Sequence, residues 1–224
     1  MSVPLIKTAV ATRQNTVPIV RDAAPADYPA IRDVVIAAYR QYADLIARDI
    51  FSPYLAGLLD LETHARDGRL LVVEADGRVY GSVAFYPDAA VQGFGLPPGW
   101  ASGRALAVHP AARGHGVARA LLATCERLAR EAGAPVFAFH TASFMADAIA
   151  LYERLGYRRA PEFDFNLAAR FSRFGAAPVM AFAYLRHLTR YAQISTACDT
   201  PAAPLLPAPP ARVLDVGGGL GTVE

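Results

Sequence analysis

The chain has 224 residues, with 22 lysines and arginines against 20 aspartates and glutamates, a net charge of +2. That near balance supplies no global field to gather nucleic acid or an anionic membrane, and at 23.9 kDa one domain with tails to spare is expected. Two cysteines are too few for a disulfide framework or a zinc site, so no metal is expected.

Residues 1–16 show no clean periodicity and read as a loose arm without a signal-peptide pattern. Pro18 to Asp22 reads as a first strand. Asp27 is placed to cap a helix that carries Ile31, Val34, Val35, Ala38 and Tyr42 on one face. Ser52 and Pro53 read as the cap and first position of a second helix through Leu55, Leu58, Leu59 and Leu61. Leu70 to Glu74 and Val79 to Phe85 flank Asp76-Gly77, a hairpin signal. A long loop from Pro87 to Gly103 precedes an apolar strand, Arg104 to Val108, which ends at His109-Pro110. The longest apolar run, about residues 176–185, falls short of the roughly 18–20 residues that span a bilayer. The expectation is a cytoplasmic protein with no membrane partner.

Arg113-Gly114-His115-Gly116-Val117-Ala118 follows that strand and opens an amphipathic helix. Val117, Ala118, Leu121, Leu122, Cys125, Leu128, Ala129 and Ala132 keep helical spacing, and Gly133 and Pro135 stop it. Cys125 on that face reads as core packing. Glycines that allow close backbone approach, at a helix start whose N–H groups lack partners, make a phosphate site. A Walker A loop is excluded because Val117, not lysine, follows Gly116. A dinucleotide fingerprint is excluded because Arg119 stands where a third small residue belongs, and the next strand ends in His140-Thr141 rather than an acid. Loop glycines that merely turn the chain are the bland alternative.

What remains is Arg-x-x-Gly-x-Gly/Ala, and it resembles the acyl-CoA loop of the GNAT superfamily of N-acyltransferases. A second segment, Ala148 to Tyr157 with its Leu151-Tyr152 and Gly156-Tyr157 pairs, is similar to that family's second signature. Between them Val136 to Phe139 reads as a buried strand. The resemblance covers roughly Val17 to Leu188. It implies an α/β GNAT fold: a mixed central sheet of about six to seven strands, helices on both faces, and splayed fourth and fifth strands. It also implies an N-acetyltransferase that takes acetyl-CoA as co-substrate and a small-molecule amine as acceptor, with a homodimer allowed. A non-catalytic acyl-CoA sensor is the alternative.

On this resemblance Arg113, Gly114, His115, Gly116, Val117, Ala118 and Arg119 hold the pyrophosphate. Leu106, Ala107 and Val108 offer backbone groups to the pantetheine arm, and an N–H near Val108 polarises the thioester carbonyl. Tyr152 protonates the leaving thiolate. Two positions depart from the family pattern. Met145 stands where an asparagine often contacts the cofactor, and Ser102 to Val108 offers no acid as general base. The base then comes from elsewhere, with His140 the best-placed candidate and Glu162 and Asp164 behind it, or the amine loses its proton to solvent; a structural strand-end histidine is the other reading of His140. His109 reads as a turn residue. Tyr39, Tyr42, Tyr54, Phe85, Tyr86, Trp100, Phe163 and Phe165 are candidates to wall the acceptor site. Asp44, Asp49, Glu162 and Asp164 are candidates to hold an ammonium group.

Domain boundaries follow as an arm to residue 16, a catalytic domain over 17–190, an Ala/Pro-rich linker over 191–211 and a glycine-rich tail over 212–224. Cys198 falls near the start of the linker. The tail resembles the first motif of S-adenosylmethionine-dependent methyltransferases, with Asp215 ending a strand before Gly217, Gly219 and Gly221. A doubly wound domain takes on the order of 100 residues, so the tail reads as a fragment, or as a chance match.

Overall fold

Leu70 and Val72 belong to one buried cluster and Leu71 and Val73 to another, although the four are consecutive. Side chains alternate across a strand, so this sheet is apolar on both faces and needs a helical layer on each. The computed structural model describes residues 19–171 and 178–188, and it has that architecture. In chain order the elements are β1 (Ile19–Asp22), α1 (Tyr28–Tyr39), α2 (Arg48–Leu58), α3 (Leu61–Asp67), β2 (Arg69–Ala75), β3 (Arg78–Tyr86) and β4 (Ala101–Val108). There follow α4 (Val117–Glu131), β5 (Val136–Ala142), α5 (Ala146–Arg154), β6 (Arg158–Arg159), β7 (Phe165–Asn166), α6 (Ala168–Phe171) and β8 (Met180–His187).

The strands form one sheet in the order β1-β2-β3-β4-β5-β8-β6, with β7 also on β8. Every pairing is antiparallel except β4 with β5. The eight strands exceed the expected six to seven because β6 and β7 are two-residue ladders, too short for an alternating pattern to reveal. Helices α1 and α2 pack with Val72 and Ala84 on one face; α4 and α5 pack with Val73 and Val83 on the other. The Asp76-Gly77 hairpin holds, with both residues at positive φ (50° and 71°) as a type I′ turn requires.

Several local expectations change. Asp27 does not cap α1 through its side chain; its carboxylate accepts instead from Arg21 and from the Ala24 N–H. Helix α2 begins four residues before Ser52, because burial of Ile50 and Phe51 draws an extra turn into the helix ahead of Pro53. Leu61 starts the separate α3, capped by the Asp60 carboxylate on the Thr63 N–H. The loop before β4 stops at Trp100, since Ala101 to Gly103 already belong to the strand. Glu126 was not expected on the apolar face of α4. It lies 7% exposed, where Tyr157 donates to it at 2.6 Å and Arg186 pairs with it at 2.7 Å. The N-terminal arm, the linker, the glycine-rich tail and Cys198 lie outside the described residues. No helix among the described residues is long and apolar enough to cross a membrane.

Candidate active site

A break in β4 opens the molecule. The strand pairs with β3 from Ser102 to Val108 but with β5 only through Ala101 and Ser102. The β3 register slips between Ser82 and Ala84, so Ala105 and Leu106 together face Val83, and Ala105 sits at φ 54°. A left-handed alanine costs about 1–2 kcal/mol and persists because the ladder on either side holds it. The bulge turns β4 away from β5. His109 donates its N–H to Tyr80 of β3, so by strand alternation Leu106 and Val108 point their backbone groups to the open side. There the Leu106 carbonyl accepts from the Tyr39 hydroxyl at 3.3 Å.

The loop between β4 and α4 faces the same opening. Gly114 and Gly116 lie at φ 77° and 79°, and nothing stands within 4 Å of where either would carry a Cβ. Gly116 is the N-cap of α4, whose first-turn N–H groups lack helical partners. Val117 anchors this helix start against β3: a Cβ on Gly81 would stand 2.5 Å from its side chain, so only glycine allows the approach. Arg113 ties the loop to the end of α1, donating to Gln41 Oε1 at 3.2 Å and to the Ala38 carbonyl at 3.3 Å. His115 is exposed, and its Nδ1 donates to the Arg113 carbonyl at 2.8 Å.

Two cavities meet behind these elements. A cleft of about 570 Å³ runs along Leu106, Ala107, Val108, Gly114, Gly116, Val117, Ala118 and Arg119, with Asp147 and Arg154 of α5 on its far wall. A smaller cavity of about 80 Å³ lies among Tyr54, Phe94, Arg104, His140 and Phe165. Tyr39, Leu106, Met145 and Tyr152 line both. The junction is therefore where a group held in one cavity meets a group held in the other.

Tyr152 places its ring 4.5 Å from Phe139, and its hydroxyl makes no hydrogen bond to another described residue. Burial, reinforced by the nearby Tyr54 and Tyr42 phenols, holds its pKa well above the usual tyrosine value, so it is a proton donor at neutral pH. His140 donates from Nε2 to the Phe163 carbonyl at 2.9 Å, which leaves Nδ1 with the lone pair. Burial pulls its pKa below the usual histidine value, so it is neutral at pH 7. Met145 stands at the N-cap of α5 but gives it no side-chain hydrogen bond; its sulfur accepts from the Thr141 and Tyr54 hydroxyls at 3.7 and 3.9 Å.

Most site residues expected from sequence converge here. His115 is the exception in the loop, because its ring lies outside the cleft. His109 accepts the Ala111 N–H in a turn, as expected. Of the candidate wall aromatics, Tyr39, Tyr54 and Phe165 line the smaller cavity and Tyr42 the cleft. Phe85 stacks on Phe137 under α4, Tyr86 bonds His64, and Trp100 packs on Phe163. None of the four candidate acids lines the smaller cavity. Asp44, Asp49 and Glu162 are exposed, and Asp164 is taken by Arg159 at 2.7 Å and by the Ala183 N–H at 2.8 Å. Ala105, Arg104, Phe94 and Arg154 were missed. An arginine inside an apolar strand was the available signal for Arg104; an alanine gives none for a bulge.

The acetyltransferase (GNAT) family model matches residues 36–157, which hold the bulge, the glycine loop and Tyr152. An IAA acetyltransferase of Azospirillum brasilense is 31% identical over 128 residues, 57% of this chain and 78% of that protein. A structure from Desulfovibrio desulfuricans assigned to the GNAT family superposes with a TM-score of 0.57 at 20% identity, over 77% of this chain and all of that one. The yncA structure of Salmonella typhimurium, solved with its cofactor acetyl-CoA, gives 0.50 at 22% identity, over 78% of this chain and 95% of that one.

Proposed function

Because the chain belongs to the GNAT acetyltransferase family, we propose that it is an N-acetyltransferase moving an acetyl group from acetyl-CoA to the amine of a small molecule in the cytoplasm. The observation that carries this reading is the meeting of the two cavities at Leu106 and Tyr152. The larger cleft fits a coenzyme A thioester. Open space stands over Gly114 and Gly116, the α4 N-terminus offers unpaired N–H groups to a pyrophosphate, and β4 presents a free edge to an amide-bearing arm. Arg119 and Arg154 add positive charge. His115 supports the loop by its backbone bond rather than by a contact in the cleft.

Acetyl-CoA supplies the acyl group and a thiolate leaving group. Leu106 takes the oxyanion role expected near Val108: its N–H faces the junction, whereas Val108 lies farther along the cleft and serves the arm. His140 Nδ1 takes the proton that the amine loses as its nitrogen bonds to the carbonyl carbon. Tyr152 donates its hydroxyl proton toward the sulfur as the C–S bond breaks, and solvent restores it. Phe94, Phe165 and Tyr54 give the acceptor side an apolar wall.

The acyl-CoA sensor remains the second reading, favoured by the lack of a carboxylate in the smaller cavity. Calorimetry with CoA, and thiol release from acetyl-CoA across an amine panel, test both. CoA should bind, folded Gly116→Val protein should bind it at least tenfold more weakly, and at least one amine should release thiol. CoA binding without any turnover selects the sensor; unchanged affinity in Gly116→Val overturns the phosphate loop.

A further inference from the structure

The smaller cavity carries a positive charge and no negative one. The Arg104 guanidinium lies with its carbon 4.5 Å from the centroid of the Phe94 ring, half-buried, and it forms no ion pair or hydrogen bond with any described residue. Arg170 reaches the same ring at 4.6 Å, adding a second cation beside the first. The acids that act on the neighbouring histidines are already engaged: Asp164, beside His140, by Arg159 and the Ala183 N–H, and Asp60, beside His64, by the Thr63 N–H. His140 and the tyrosines of the wall are neutral. An arginine stays charged in any protein environment, and a half-buried cation facing a cavity without acids favours an anion beside it. The planar guanidinium fork matches a carboxylate with two parallel hydrogen bonds.

We propose that the acceptor carries a carboxylate as well as its amine, and that Arg104 binds that carboxylate and so determines specificity. This rests on the acetyl-transfer reading and names the substrate class for it: amino acids and related amino-carboxylates with a compact or aromatic body. The wall of Phe94 and Phe165, stacked 5.6 Å apart, receives the apolar part. The same cation repels an ammonium group, so it also favours the neutral, nucleophilic form of the amine. That compensates for the missing carboxylate base in β4, and it reverses the expectation that acids hold the acceptor.

The test compares matched acceptors. Glycine, L-alanine, L-phenylalanine and 4-aminobenzoate are assayed against their amides for thiol release. The carboxylates should exceed the amides at least tenfold in kcat/KM. Arg104→Met should erase that preference through the acceptor KM while the acetyl-CoA KM holds, and Arg104→Lys should restore part of it. Amides accepted as well as acids by the wild-type protein overturn the proposal and leave acetyl transfer standing. Should no amine turn over, benzoate and benzamide binding to the CoA complex decides by calorimetry. A benzoate preference of tenfold or more upholds the anion site although acetyl transfer fails; equal affinities overturn it. Circular dichroism confirms the fold of each variant, and the wild-type comparison needs none.

Discussion

Tyr152→Phe separates chemistry from packing, because the hydroxyl it removes bonds no described residue. The ring, seated 4.5 Å from Phe139 and 5.9 Å from Tyr184, is retained. Folding stability should therefore change by less than about 0.5 kcal/mol, since the hydroxyl faces the cavities rather than a protein partner. The catalytic effect should be larger. General acids contribute roughly 10²–10⁴-fold, but burial lifts the Tyr152 pKa further above that of a thiol, which weakens its drive to give up the proton. The same burial destabilises a thiolate, so the two effects offset in part, and the lower end, about 10²-fold or ~2.7 kcal/mol of barrier, is expected. Steady-state thiol release should show the loss in kcat with the acetyl-CoA KM within about threefold, while urea unfolding gives an unchanged midpoint. A folded Tyr152→Phe protein that turns over within threefold of wild type refutes the assignment and leaves Tyr152 a core aromatic.

Glu126→Ala should destabilise the fold by about 3 kcal/mol, the low end for breaking a buried ion pair, because Arg186 and Arg130 are about a third exposed and can take up water. Urea unfolding measures it, and a loss below 1 kcal/mol would show that the Tyr157 and Arg186 contacts carry little. Burial holds His64 and His140 below the usual histidine pKa, with Arg104 opposing the charged form of each, Asp60 favouring it at His64 and Asp164 favouring it at His140. As pH falls the unfolded chain protonates first, so their stability is complete above about pH 6.5 and declines below it by up to ~2.7 kcal/mol per unit for two protons, until the folded pKa values are reached. Unfolding measured at pH 7.5, 6 and 5 should show this decline, and a rise toward acid would overturn it. The same shift puts any acidic limb that His140 gives kcat/KM below pH 6.5.

What the sequence exposed depended on whether the backbone needed a special residue. Asp76-Gly77, Gly114 and Gly116 announce their positive φ values because asparagine, aspartate and glycine are the residues that adopt them cheaply. Ala105 adopts the same region and announces nothing, so the bulge that opens the site was legible only through the family resemblance. Periodicity located α4 because its burial follows one face, yet it hid Glu126, whose charge is met by arginines distant in sequence. It also misplaced the start of α2, since the helix-start preferences of Ser52 and Pro53 are weaker than the burial of Ile50 and Phe51.

Arg104 shows why charge is harder to read than shape. In sequence it is one polar residue at the start of an apolar strand that offers no acid. Its meaning lies in what surrounds it: an aromatic ring beneath, a second arginine on that ring, a neutral histidine across the cavity, and acids that bond elsewhere. Pairing is a property of three-dimensional proximity, and β4, β5, α6 and the loop before β4 bring these residues together from positions 94 to 170. A glutamate at the same strand position would attract the acceptor's ammonium and then remove its proton. An arginine inverts both steps, drawing the acceptor by its anion and discouraging protonation of the amine from the start. On this proposal the residue at position 104 decides which end of an amino-carboxylate the smaller cavity holds: the arginine takes the carboxylate and leaves the amine at the junction with Tyr152.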